Sequence, residues 1–174
     1  MFMTNMTKYT NFTCKYIDLD PRLVSYIQEI VLDNIPNKVA FYQALRNVEI
    51  PDILGQQVEE VALVKIPPSI SPDLAHTDIL CPYGEFLALN IPLENCEHSQ
   101  TVFWVSDEPR TRDKLKSKHG YGYIQTKDCT AIDDFFLTRP VLFNHQVLHN
   151  VFNWSPKPRY AISIRFFKDP WHWI

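Results

Sequence analysis

From Glu60 to Phe167 the chain breaks into short runs of β-branched, aliphatic and aromatic residues separated by prolines and polar turns, and that punctuation limits what it can fold into. The runs are Val61 to Ile66, Phe86 to Leu93, Thr101 to Val105, Val141 to His145, Val147 to Phe152 and Tyr160 to Phe167. Each has the length of a strand rather than a helix and is rich in residues that suit a pleated surface. The run from Phe86 to Leu93 is apolar at nearly every position, as expected of a strand covered on both faces, whereas Arg159 to Phe167 alternates. The expectation is a mainly-β fold.

Ahead of these runs the period changes. Asp20 followed by Pro21 reads as an N-cap with proline at the first helical position, and Leu23, Ile27, Ile30 and Val31 recur at helical spacing up to Asn34. A second helix is expected from Pro36, carrying Val39, Tyr42, Leu45 and Val48 and ending before Pro51. Two such helices could cover one sheet. Between Ser106 and Thr130 lies the most polar stretch, read as a connecting loop with one short helix; a solvated connection and a substrate-contacting lid are both open for it.

A chain of 174 residues is enough for one domain with a real core and too short for two of ordinary size. The expected division is a helical support over 1–58, a β core over 59–168 and a tail over 169–174. Seventeen basic residues against twenty acidic ones give a formal charge of −3, which lends no support to a duplex-binding protein. Cys14, Cys81, Cys96 and Cys129 are irregularly spaced, with no Cys-x-x-Cys pair, and read as reduced thiols. The start lacks a charged-then-apolar secretion signal, and no long apolar run occurs, so a soluble, cytoplasmic protein without a membrane span is expected. The sequons at Asn11 and Asn153 then have no consequence.

The chemistry is carried by His76, Thr77 and Asp78, which follow a proline-rich segment. In extended backbone, residues two apart face the same side, so the His76 imidazole and the Asp78 carboxylate can converge on one ion. His149, on a late apolar strand, can supply a third ligand. Two histidines and a carboxylate fill one face of an octahedral Fe(II) and leave positions open. Arg159 follows His149 by ten residues and opens the alternating strand. A buried guanidinium is costly unless paired, and its planar fork matches a carboxylate.

Over roughly Val61 to Phe167 this pattern resembles the 2-oxoglutarate- and Fe(II)-dependent dioxygenases: a His-x-Asp, then a distal His, then an Arg about ten residues on. The resemblance extends to Phe86–Leu93, Thr101–Trp104, Pro140–Phe143 and Arg159–Ser163. It implies a double-stranded β-helix (jelly-roll, cupin-like) barrel. It also implies that His76, Asp78 and His149 bind Fe(II) as the catalytic metal site and that Arg159 binds the distal carboxylate of 2-oxoglutarate. Members often carry Ser or Thr two residues after that arginine; here Ala161 stands there, so Asn90 and Ser163 are candidates for the missing contact, with Tyr160 a weaker one. The aspartate at position 78 favours hydroxylation over halogenation. Dioxygen is the co-substrate and ascorbate a possible reductant; the prime substrate is a protein or peptide side chain or a small metabolite sooner than a nucleic acid.

Several residues have rival readings. His145 could be the distal ligand, but Arg159 would then be fourteen residues on, a poorer fit than for His149. Arg165 is expected on the same face as Arg159, either as a deeper carboxylate contact or, preferably, paired with a surface acid. His98, His119 and His172 read as surface residues. Trp171 and Trp173 could stack on a base or sugar, but an anchoring tail is the preferred reading. Tyr83, Trp104, Tyr121 and Tyr123 are candidates for the pocket mouth. The alternative to an oxygenase is a cupin-like module that binds a metal or ligand without oxygenase activity.

Overall fold

The computed structural model describes residues 12–35, 40–45, 48–69, 74–78, 86–106 and 122–174. The first strand, β1 (Cys14–Tyr16), leads into helix α1 (Pro21–Asp33). As expected, Asp20 caps α1: its carboxylate accepts from the Arg22 N–H at 2.8 Å, and Pro21 stands at the start. Ile27 and Val31 are the fully buried residues of its apolar stripe.

The expected second helix is not formed over the described residues of its span. Tyr42–Ala44 is instead strand β2, an edge strand antiparallel to β3 (Val58–Ile66). Positions 36–39 and 46–47 lie outside the described residues. The spacing of Tyr42 and Leu45 suited a helix, but a weak local preference yields where an open sheet edge offers backbone partners. The N-terminal support thus has one described helix and two short strands.

Strands β4 (Leu74–Thr77), β5 (Leu87–Glu94), β6 (Ser99–Ser106), β7 (Gly122–Gln125), β8 (Cys129–Phe136), β9 (Val141–Asn144), β10 (His149–Asn153) and β11 (Arg159–Phe166) complete the fold. They form two antiparallel sheets, one ordered β1-β9-β5-β11-β3-β2 and the other β7-β4-β10-β6-β8. The result is mainly β, a sandwich of jelly-roll-like type. The stretch expected as a loop with a short helix is strand over its described end: β7 pairs with β4, and a 3-10 turn at Thr126–Asp128 leads into β8. Residues 107–121 lie outside the described residues. Strand β8 hides in the sequence because its exposed residues mix apolar and polar types without a period, and only Phe135 is buried.

Each face of the six-stranded sheet has its own core. On the outside, Ile27 and Val31 of α1 pack with Leu63, Leu89, Ile162 and Ile164. On the inside, Ala88, Phe103, Phe135, Val141, Phe143 and Ala161 fill the space between the sheets. Strand β5 contributes Leu89 to one cluster and Ala88 to the other, which explains its unbroken apolar run. The C-terminal tail folds back as expected. Trp171 packs near Phe86 at 6.3 Å and against the outer cluster, and the Trp173 indole N–H donates to the Leu54 carbonyl at 3.1 Å.

Candidate metal centre

His76 on β4 and His149 on β10 are direct cross-strand partners, and their rings lie 4.7 Å apart. Asp78 follows two residues later on the same side, as strand alternation requires. Its Oδ1 is 3.5 Å from Nε2 of His76 and 3.7 Å from Nε2 of His149. One ligand atom from each of the three lies within 4.8 Å of the others. Donors grouped in this way could close on a divalent ion about 2.1 Å from each with small side-chain shifts. His145, the rival distal ligand, is fully buried but is not part of this group.

The protonation of His149 and Asp78 fits the same candidate role. Nδ1 of His149 lies 2.8 Å from the Val147 carbonyl, which can only accept, so Nδ1 carries the proton and the Nε2 lone pair faces Asp78. Burial, helped by the neighbouring His76, pushes the His149 imidazole down to about 4. Burial also works to raise Asp78, but the His76 hydrogen bond and the nearby charge of Arg165 outweigh it and hold the carboxyl well below its usual range. Both groups are therefore in ligating form at neutral pH.

A pH dependence follows for the metal-free protein. Above about 6.5, the ordinary imidazole value, neither the folded nor the unfolded chain protonates at position 149. Between there and about 4, only the unfolded chain does, so stability falls with pH across that window. The slope attributable to this group approaches about 1.4 kcal/mol per pH unit. Urea midpoints at pH 7, 5.5 and 4.5 should decline in the wild type and decline less steeply in His149→Leu; parallel declines would contradict it.

Arg165 departs from its preferred reading as the partner of a surface acid. It is buried, and its Nη2 donates to Asp78 Oδ2 at 2.5 Å, leaving Oδ1 toward the histidines. Opposite it on β3 stands Glu60, whose carboxylate accepts from the Tyr42 hydroxyl, and Tyr42 itself lies beside Arg165. Neither Tyr42 nor Glu60 was read from the sequence as a site residue, because their role depends on β2 pairing with β3.

Further along the same face of β11 comes Ser163, directly opposite Asn90 of β5, and beyond Ala161 comes Arg159. Arg159 is 1% exposed. Its Nη1 donates to Ser99 Oγ at 3.0 Å, its Nε has no hydrogen-bond partner, and no carboxylate among the described residues pairs with it. Burial works against its charge, with the Cys96 thiol beside it. The Cys96 S–H donates to the Tyr160 carbonyl at 3.0 Å, and Asn90 Oδ1 is buried without a partner. Tyr160 packs against the outer cluster, on the opposite face. Ser99 was missed; a serine that opens β6 straight after a polar turn carries no sequence signal of its own.

Other candidates fall away from this interior. Trp104 donates its indole N–H to Asn150 Oδ1 at 2.9 Å. His98 is well exposed beside Glu97, and His172 is exposed as well. Tyr83, Tyr121 and His119 lie outside the described residues, as does the Tyr123 side chain.

The two sheets and the three converging side chains define a jelly-roll-like protein with a candidate His–Asp–His metal site. No family model matches the sequence, and no curated protein matches it. Solved structures similar to this chain include the non-heme alpha-ketoglutarate-dependent carbocyclase SnoK from nogalamycin biosynthesis. It has a TM-score of 0.48 and 15% identity, with 90% of this chain and 79% of that chain covered. EvdMO1 has a TM-score of 0.48 and 13% identity over 91% of this chain and 48% of that one. AviO1 from Streptomyces viridochromogenes Tue57 has a TM-score of 0.42 and 10% identity over 91% and 90%. Likenesses at this level carry no functional argument. None of the helices among the described residues is long and apolar enough to cross a membrane.

Proposed function

We propose that this chain is an Fe(II)- and 2-oxoglutarate-dependent dioxygenase acting as a hydroxylase. The observation that carries the reading is Arg159, a buried guanidinium with no acid partner among the described residues, facing the interior that also holds the three candidate ligands. A charge so placed is costly unless an anion completes it. We read the eight core strands, β3 to β6 and β8 to β11, as a double-stranded β-helix and the whole chain as one domain; the strand order β9-β5-β11-β3 facing β4-β10-β6-β8 supports this.

On this reading His76 Nε2, His149 Nε2 and Asp78 Oδ1 hold Fe(II) from one side and leave the other open. Bound iron would supply the activation of dioxygen that couples decarboxylation of 2-oxoglutarate, giving succinate and carbon dioxide, to hydroxylation of a substrate C–H bond. The chain's own residues bind and orient. Arg159 takes the distal carboxylate with its planar fork, Ser99 fixes that fork, and Asn90 and Ser163 line the path between the two ends. Ser99 would thereby replace the hydroxyl that Ala161 lacks. Phe103 and Phe143, which flank the His149 ring, exclude water from the metal end. The retained Asp78 favours hydroxylation over halogenation, and the substrate class favoured is a protein or peptide side chain or a small metabolite.

The test is an anaerobic titration of the full chain with Fe(II) and 2-oxoglutarate, following the weak visible metal-to-ligand charge-transfer band. A band weakened by both Arg159→Ala and His149→Ala supports the cofactor pair. Bound iron without a band would sink the oxygenase reading in favour of a cupin-like metal-binding module.

A further inference from the structure

Asp78 lies just past the end of β4, so neither its N–H nor its C=O is held by the ladder that aligns His76 with His149. Both are taken by the turn that leads into β10. The Asp78 N–H donates to the His145 carbonyl at 3.0 Å, and the Asp78 carbonyl accepts from the Gln146 side-chain amide at 3.0 Å. The turn is itself fixed: Gln146 N–H donates to Asn144 Oδ1 at 3.0 Å, and Val147 N–H donates to the Asn144 carbonyl at 3.2 Å.

The same amide nitrogen lies 2.9 Å from Nδ1 of His145. A carbonyl can only accept, so the group facing Asp78 must be the NH2 of Gln146, not its oxygen. The second hydrogen of that NH2 then points at His145 Nδ1, which must accept. A neutral His145 ring therefore carries its proton on Nε2. With one nitrogen engaged and the other protonated, neither lone pair is available to an ion.

We propose that Gln146 is a positioning residue of the metal site: it pins the main chain of the carboxylate ligand Asp78 and locks the buried His145 in a tautomer that cannot compete with His149 for the ion. The proposal rests on the metal reading above and adds to it what selects between His145 of this turn and His149 of β10. Groups that hold ligands in this manner commonly change metal affinity by 10–100-fold when removed.

The experiment compares the full-length wild type with Gln146→Leu, which keeps the volume and removes the amide. Co(II) affinity is measured by titration, the thermal midpoint is recorded, and the ring-nitrogen tautomer of His145 is read by proton–nitrogen correlation spectra of the metal-free proteins. The expected result is an Nε2–H ring in the wild type, a mixed tautomer in the variant and Co(II) binding weakened on the order of 10-fold with a similar thermal midpoint. A wild-type ring protonated on Nδ1 would overturn the proposal even if the variant failed to fold. Equal Co(II) binding by wild type and variant would sink the proposal alone, whereas a wild type that takes up no Co(II) would sink the metal reading and the proposal with it.

Discussion

Arg159→Met is expected to abolish 2-oxoglutarate binding while leaving the ligand-free protein as stable as the wild type or more so. The two effects have opposite signs because one group causes both. In the ligand-free chain the guanidinium sits 1% exposed, with Ser99 Oγ as its side-chain hydrogen-bond acceptor. Replacing a buried charge of that kind with an apolar side chain of similar volume is commonly neutral or stabilising by about 1–4 kcal/mol. Binding loses two charge-assisted hydrogen bonds, each worth about 1.5–3 kcal/mol, which amounts to about 100-fold or more in affinity. Urea unfolding and calorimetric titration of Fe(II)-loaded protein check the two arms. A variant that unfolds much more readily, yet binds 2-oxoglutarate normally, would make Arg159 a structural residue and remove the main support for the proposed activity.

Asp78→Ala is expected to do the reverse for stability, destabilising the fold and eliminating the candidate metal site together. The carboxylate gives Oδ1 to the candidate ligand set and Oδ2 to Arg165. Its loss takes the Asp78 carboxylate from a buried guanidinium, which costs about 3 kcal/mol or more, tempered by Tyr42 and by Glu60 on the neighbouring strand. The double variant Asp78→Ala/Arg165→Met should recover most of that stability and none of the metal binding. If the single and double variants are equally unstable, the Asp78–Arg165 pair is not what the substitution broke. Retained Co(II) binding in either would exclude Asp78 as a ligand.

How far the sequence reaches can be seen element by element. Helix α1 was legible because its cap and its stripe are local: Asp20, Pro21, Ile27 and Val31 fall within four turns of one another. The convergence of His76 and Asp78 was legible for the same reason, since strand alternation alone puts them on one side. The six apolar runs appear as β3, β5, β6, β9, β10 and β11. The second helix failed because residues 42–44 answer to the open edge of β3 rather than to their own spacing, and β8 escaped because an exposed strand lacks an apolar period.

By itself, then, the sequence determined the mainly-β character, the first helix and the residue types able to meet at a metal. These rest on periods and spacings of a few residues, which the backbone geometry enforces anywhere. The tertiary structure decided what those residues touch. Arg165 reaches Asp78 across 87 positions, Arg159 reaches Ser99 across 60, and Gln146 reaches Asp78 across 68. Hydrogen bonds at such separations exist only once β4, β6, β10 and β11 have been brought together in two facing sheets. That is why the sequence marked Arg159 as a candidate binder of anions but could not tell that Arg165 holds the Asp78 carboxylate.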